Sequence, residues 1–493
     1  MRDIAAAFTA VLADRRTRRF LLAAAFVVAP VQALAQPAAD IVAPILAESG
    51  AGTRWGVVVA DSEGREILAI NPEGRFMPAS NTKLYTTAAA FWAEARGEGP
   101  RLAESGAMVR LEDSDVILTG RGDARLSAAP HCIDNCLAAL AQTVAAKTRE
   151  VRDVIGDATL FPDQRWSPGM SWNNIPTSSG TGIAALSVDD NEIAAAVSPG
   201  ADWEPPIIAM NGYFTLDNRA NTLEGGSETL SFDRAPGARV LRVAGTIGPR
   251  QGPIAWKLGV DDPAHYAAWR LAEMLKARGV QVTGAIRSRY CAFEEHGAIE
   301  MRRDVSLAAR APTPLATLTP GPLGEEVTTI NKLSQNLHAE LLLRRLGLSR
   351  GGNGSISAGQ EIVKSMLAEA GITPAQVSLA DGSGMSSYNR VAPRATVTLL
   401  RFAASRPWGA ALRTSLPIGG VDGTLRRRFV GTPLEGKIFA KTGTLNATNA
   451  LAGWLTAASG RTLTFAIYAN DVPEDVRATA IMDRALVALA AAN

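Results

Sequence analysis

Histidine and lysine are scarce in this chain. It has 4 histidines, and only eight of its 50 basic residues are lysines. The histidines, His131, His265, His296 and His338, form no cluster, so nothing locates a Ser-His-Asp relay. No H-E-x-x-H, no Walker A and no G-x-S-x-G elbow occurs, which leaves a zinc peptidase, a P-loop NTPase and an α/β-hydrolase without their usual motifs. Charge of one sign is also lacking. Fifty basic against 48 acidic residues give a net charge of +2, and nothing points to nucleic acid. Arg426, Arg427 and Arg428 are the one long basic run in the body of the chain, and they read as a solvated face. Cysteine is rare, with 3 in all. Cys132 and Cys136 are close enough for a local disulfide in an oxidising compartment. With His131 they could instead begin a metal site, but no fourth ligand lies nearby. Cys291 is left over, either buried or free.

Long apolar runs are missing everywhere except at the N-terminus. There Arg15, Arg16, Arg18 and Arg19 precede "FLLAAAFVVAPVQALA", which ends in Ala33-Leu34-Ala35. A charged start, a short apolar stretch and small residues at the end make residues 1–35 read as a signal peptide, with the mature chain beginning near Gln36. Pro30 and Gln32 interrupt the run and argue against a membrane anchor. "TRRFLL" loosely resembles a twin-arginine signal but is one spacer residue short, so the export route stays open. The mature chain is expected to be exported, soluble and without a transmembrane segment.

At 493 residues the chain exceeds what one hydrophobic core usually serves, so two or three domains are expected. "RWGVVVADSEGREILAINPEGRF" predicts two strands around a turn at 61–64. A helix should start near Ser80, with Leu84, Ala88, Phe91 and Ala95 on one face. "INKLSQNLHAELLLRRLG" predicts a helix carrying Ile330, Leu333, Leu337 and Leu341 and stopping near Gly347. "GKIFAKTGT", "NALAGWLTAAS" and "TLTFAIYAND" predict successive antiparallel strands. "PEDVRATAIMDRALVALAA" predicts a closing helix with Pro473 near its first turn. Residues 99–300 differ, being rich in Gly, Pro and Asp turns with short β-like runs such as "DVILTG", "DVIGDATLF" and "ARVLRVAGTI". They read as a β-rich insertion between 36–98 and 301–493, which would form one discontinuous domain. The insertion is expected to fold as its own unit, apart from the chemistry.

What the sequence does have is "FMPASNTKLYTTAAA". Among the eight lysines, only Lys83 has a serine three positions before it. On a helix, residues i and i+3 share a face, so the Lys83 amine would meet the Ser80 hydroxyl. That pairing is useful only if the amine is neutral. An unperturbed lysine at neutral pH holds the free base in fewer than about one molecule in a thousand. Burial and a second cation can lower the pKa by several units. "AKTGT" supplies a cation, Lys441, in the one KTG of the chain, where Gly443 would let a substrate approach the backbone. A third element, Ser-x-Asn, occurs at Ser171/Asn173, Ser334/Asn336 and Ser387/Asn389. Only the second lies between Ser80 and Lys441 in a helical setting. Asp381-Gly382-Ser383-Gly384 reads as a turn with no chemical step, and Arg121-Gly122-Asp123 as a chance turn.

S-x-x-K, S-D-N and K-T-G together are the signature of class A β-lactamases and penicillin-binding proteins. With "LTGRGDARL", "GDATLFPD", "AALSVDDNEI", "DGSGMSSYNRVAPRA" and "LPIGGVDGTLRRRF" in order, the chain resembles the low-molecular-mass class C penicillin-binding proteins, the D-alanyl-D-alanine carboxypeptidase/endopeptidase family. The resemblance implies an α+β fold. It has a β-lactamase/transpeptidase-like domain, with an antiparallel sheet flanked by helices plus an all-helical lobe, and β-rich inserted domains, two of them nested in 99–300. It further implies Ser80 as nucleophile, Lys83 as its base and Ser334 as proton relay to the leaving amine. Asn336 would bind the substrate peptide bond, Lys441 supply positive potential and Thr442 hold the substrate carboxylate. Gly443 and Thr444 complete the binding strand, with the N–H groups of Ser80 and Thr444 as oxyanion hole. Expected partners are peptidoglycan peptides ending in D-Ala-D-Ala, and β-lactams as covalent inhibitors, in the periplasm. No metal or cofactor is implied. Gln335 departs from the pattern, since many relatives have Asp there. A serine β-lactamase and a catalytically silent wall-binding protein are the alternatives; a stable, a transient or an absent penicillin adduct separates the three.

Overall fold

In the computed structural model, residues 36–100, 106–225, 228–291 and 313–493 are described. The N-terminal segment read as a signal peptide lies outside the described residues. Valines at 57, 58 and 59 put Arg54–Ala60 (β1) in an extended conformation, and it pairs antiparallel with Glu66–Ile70 (β2). Asp61 closes the turn between them by accepting the N–H groups of Glu63 and Arg65. Ile438–Leu445 (β3), Thr448–Thr456 (β4) and Thr462–Asn470 (β5) complete the sheet in the order β2-β1-β5-β4-β3. Val57 stands opposite Ile467, so chain from both ends of the sequence closes one sheet.

Six helices position the site: α1 (Gln36–Ala47), α2 (Thr82–Glu94), α3 (Leu323–Lys332), α4 (Asn336–Leu346), α5 (Pro393–Ala404) and α6 (Ala478–Ala491). Strand alternation sends Val57, Leu451, Leu455 and Ile467 to one face, against α1 and α6. Val58, Ala450, Ala452 and Ala466 face the other side, against α2 and α5. Pro393–Ala404 packs on this face of the sheet, and the turn Ala79–Asn81 ahead of α2 meets β3 and β4. Every residue from Thr82 to Ala93 is buried, because α3, α4 and Ile356–Glu369 cover the rest of α2 in a helical lobe.

Two helix expectations need correction. The run from Ile330 to Leu341 is not one helix. It breaks at Leu333–Gln335, where Ser334 takes a φ of 60° and Leu333 is exposed. Apolar spacing alone cannot register one left-handed residue. The last helix starts at Ala478, so Pro473 lies ahead of it rather than in its first turn.

The insertion centres on a second five-stranded sheet of Ile286–Cys291, Val154–Pro162, Asp115–Thr119, Met108–Glu112 and Ala316–Thr317, in that order. Two helices, Leu137–Lys147 and Pro263–Lys276, share its core, so the region is less purely β than its turn-rich composition suggests. Ala316–Thr317 pairs with Met108–Glu112, and the sheet therefore reaches past residue 300. Leu337 and Leu341 of α4 belong to this core, which ties the insertion to the helix that begins at Asn336. Cys132 and Cys136 form a disulfide with Cα atoms 5.7 Å apart, which leaves no thiolate for a metal site beside His131. Among the described residues, no helix is long and apolar enough to cross a membrane.

Candidate active site

Ser80 sits in the single 3₁₀ turn Ala79–Asn81 that leads into α2. Lys83 lies one turn on and is fully buried. Its Nζ is 3.1 Å from Ser80 Oγ, 2.7 Å from Asn336 Oδ1 and 2.6 Å from the Ser383 carbonyl oxygen. The Asn336 amide is oriented by its other end, since Nδ2 donates to the Ser179 carbonyl at 3.1 Å. Two of the three Lys83 partners can only accept, whereas the serine hydroxyl can also donate. A neutral amine has two hydrogens and one lone pair. It satisfies all three partners by giving its hydrogens to Asn336 and Ser383 and receiving the Ser80 proton. A protonated amine fits the same three oxygens by donating to each, so the site accommodates both protonation states.

Burial pulls Lys83 down to about 7, against the opposing attraction of the Asp381 and Glu340 carboxylates. Desolvation, rather than the charge of the second lysine, takes the leading part. Lys441, also fully buried, is pushed well below its ordinary value by burial and then by the Lys83 charge. Its Nζ donates to Ser334 Oγ at 2.9 Å and to the Thr442 carbonyl at 3.0 Å. The left-handed φ of Ser334 is what turns that hydroxyl toward the lysine, a local strain held by the two helices on either side.

Strand β3 is the sheet edge. Ile438 and Ala440 spend their outward backbone groups on Gly419 and Pro417. Alternation then puts the N–H groups of Thr442 and Thr444 on the same edge. Asn81 Nδ2 donates to the Lys441 carbonyl at 2.8 Å and pins the strand to the start of α2. A Cβ on Gly443 would come within 2.6 Å of the Pro78 carbonyl and 3.1 Å of the Ser80 nitrogen. Only glycine lets the edge run this close to the start of α2. Ser80, Lys83, Ser334, Asn336 and Lys441 thus converge, with Thr442, Gly443 and Thr444 along one wall. Thr442 Oγ1 is 2.7 Å from Thr424 Oγ1. The other two Ser-x-Asn pairs lie apart from Lys83. The Ser171 hydroxyl donates to Asn173 Oδ1, and Asn389 is buried against Asp381.

Over residues 38–492 the chain matches the D-Ala-D-Ala carboxypeptidase 3 (S13) family. The chain belongs to the S13 family. It is 34% identical over 441 residues to a D-alanyl-D-alanine carboxypeptidase of Actinomadura sp. (strain R39), covering 85% of this chain and 78% of that one. The D-alanyl-D-alanine carboxypeptidase DacB of Haemophilus influenzae is 25% identical over 440 residues, 85% of this chain and 86% of that one. The crystal structure of penicillin binding protein 4 (dacB) from the same organism superposes with a TM-score of 0.73 at 22% identity, over 90% of this chain and 96% of that one, which shows the fold. That fold is the α+β arrangement expected above.

Several groups of this S13 chain that build the site were given no chemical step from the sequence. The Asp381–Gly384 turn, which lies in one of the stretches that carry the family resemblance, supplies the Ser383 carbonyl to Lys83. Glu340 holds the turn by accepting the N–H groups of Gly382 and Ser383, both at 2.9 Å, and is itself paired with Arg344 at 2.7 Å. Asp381 accepts from Gly384, Ser386 and Asn389. Burial and the neighbouring Glu340 raise it to about 6. Gly384 is obligatory, because a Cβ there would sit 1.9 Å from the Ala79 carbonyl. The insertion is not apart from the chemistry either, since the Ser179 carbonyl sets the Asn336 amide.

Proposed function

We propose that this chain is a serine-type D-alanyl-D-alanine carboxypeptidase that works through an acyl-enzyme on Ser80. The observation that carries the proposal is the Lys83 amine, 3.1 Å from Ser80 Oγ with its other two contacts committed to pure acceptors. Ser80 Oγ attacks the carbonyl carbon of the penultimate D-Ala and passes its proton to Lys83. The oxyanion is held by the N–H groups of Ser80 and Thr444. Ser334, hydrogen-bonded to Lys441, relays a proton to the leaving nitrogen. The C–N bond breaks and D-alanine departs, and water then cleaves the Ser80 ester. Asn336 binds the substrate amide, while Lys441, Thr442 and Gly443 receive its terminal carboxylate. Where the leaving amine belongs to a neighbouring stem peptide, the same steps are a D,D-endopeptidase. No step calls on a metal or a cofactor.

Substrates in this reading are peptidoglycan peptides ending in D-Ala-D-Ala, and β-lactams acylate the same serine. A structure of the Haemophilus influenzae protein in complex with a β-lactam, TM-score 0.67 and 21% identity, is in keeping with this. Residues 1–35 are taken as a signal peptide for export to the periplasm, and 36–98 with 301–493 as the catalytic domain around the insertion.

Fluorescent penicillin tests the proposal. A stable adduct should form and map by mass spectrometry to the peptide holding Ser80. A label on another serine, or none, overturns the assignment, and rapid turnover of the drug makes the chain a β-lactamase instead. The pH dependence gives a second check. With Lys83 at about 7, about half the molecules hold the free base at pH 7. The reactive form is the neutral one, so the second-order acylation rate should rise about tenfold per pH unit below about 7 and level off above it. A rate independent of pH from 5 to 8 removes Lys83 as the base.

A further inference from the structure

A cavity of about 480 Å³ opens between the C-terminal end of α5, the short helix Gly409–Ser415 and the start of β5. None of the residues that converge at Ser80 lines it. A space of this size holds a small ligand. Along β5 the side chains facing α5 are Tyr468 and Ala466, then Thr464 and Thr462, so hydroxyls replace apolar groups where the cavity begins. Its lining is rich in donors that lack an acceptor. Thr464 is 6% exposed and Trp454 3%, yet among the described residues neither the hydroxyl nor the indole N–H has a partner. A buried indole N–H ordinarily finds one. Arg401 and Arg413 are half-buried, and among the described residues neither guanidinium pairs with a carboxylate. Both are held by contacts that leave their donors unused. Arg413 lies over the Phe439 ring, 4.8 Å from its centroid. Arg401 lies against Gly64, where a Cβ would collide with its guanidinium. Burial lowers the proton affinity of Arg413, with no carboxylate beside it to oppose the effect. Asp61 is the one carboxylate of the lining. It is spent on the N–H groups of Glu63 and Arg65 and on the Arg65 side chain at 2.9 Å.

We infer that this cavity is a binding site for a phosphate group, either free or carried on a sugar. The two uncompensated guanidinium groups match the double charge of a phosphate monoester, and the planar fork of arginine addresses its oxygens in pairs. Thr464 and Trp454 add neutral donors from the sheet side. Both belong to strands and cannot move away, so their hydrogens are offered whether or not a ligand is bound. An anion here satisfies four groups that no protein acceptor serves, and it meets no carboxylate that is free to repel it. A phosphate fills only part of the volume, which leaves room for a sugar beside it.

Isothermal titration calorimetry of the whole protein with inorganic phosphate and with glucose 1-phosphate, at constant ionic strength, tests the site. Wild type should bind at least one probe saturably, with a dissociation constant of about a millimolar or below. Arg401→Gln and Arg413→Gln should each weaken binding by about tenfold or more, the loss expected for a hydrogen bond to a charged group. Thr464→Val keeps the shape and removes only the hydroxyl, so its loss should be smaller, about threefold. All three variants should acylate at Ser80 at the wild-type rate, because none of the three residues belongs to the acyl-transfer groups. Tighter binding of glucose 1-phosphate assigns a sugar phosphate and equal binding a free phosphate, and either supports the site. Absence of saturable binding of both probes by wild type overturns it, as does wild-type affinity in the two arginine variants. Where an arginine variant does not fold, Thr464→Val decides, and wild-type affinity there overturns the site.

Discussion

Lys83→Arg should slow acylation of Ser80 by penicillin by about two to four orders of magnitude, the usual range for losing a general base. Arginine keeps a cation and several donors, so it can still address the Asn336 and Ser383 oxygens. It cannot lose its proton in a protein, and no lone pair remains to take the proton of the serine. The wild-type lysine escapes this limit through burial, which brings it to about 7. A permanent charge in the same place sits near Asp381 and Glu340, which offset part of its desolvation. The fold should therefore survive well enough for kinetics. The measurement is the second-order acylation rate from pH 5 to 9. Wild type should show the limb below about 7, and the variant should be slow and lack it. A variant that acylates near the wild-type rate places the base elsewhere, and this mechanism is then wrong.

Ser80→Ala should abolish both the penicillin adduct and the release of D-alanine, a complete loss where Lys83→Arg is partial. The hydroxyl has one side-chain partner, Lys83 Nζ. Its removal costs the fold on the order of 1 kcal/mol, the net worth of an ordinary hydrogen bond. The pocket of Asn336, Lys441 and the β3 edge remains, so noncovalent binding of penicillin should persist. Intact-protein mass after a long incubation with excess drug reads the outcome directly. Any adduct on folded Ser80→Ala identifies another nucleophile. A parallel loss of noncovalent binding would instead mean that the serine holds the ligand and that the chemistry is not isolated by the substitution.

The Ser80/Lys83 pair was legible because its geometry is local. Two residues three apart at the start of a helix meet whatever the rest of the chain does. The same holds for the strands. Valines in β1 and the apolar runs of β4 and β5 identified strands, whereas the burial of both faces of their sheet came from the helices packed on either side. Helix ends were less legible. The break at Ser334 falls inside a run whose apolar period continues through it, and a single positive φ leaves no trace in spacing.

The sequence by itself determined which side chains could do acyl-transfer chemistry. One lysine follows a serine by three, one KTG exists, and one Ser-x-Asn lies between them in a helical setting. Tertiary structure alone decided why the Lys83 amine titrates near neutrality. Its pKa is set by burial under the helical lobe, with the Asp381 and Glu340 carboxylates pulling the other way. Its two pure acceptors come from residues 253 and 300 positions away. Tertiary structure also decided that the insertion reaches the site, through the backbone carbonyl of Ser179 on the Asn336 amide. A carbonyl is the same at every residue, and a buried charge is defined by what surrounds it. Neither property is written in the identity of a residue; both arise only when distant segments are packed together.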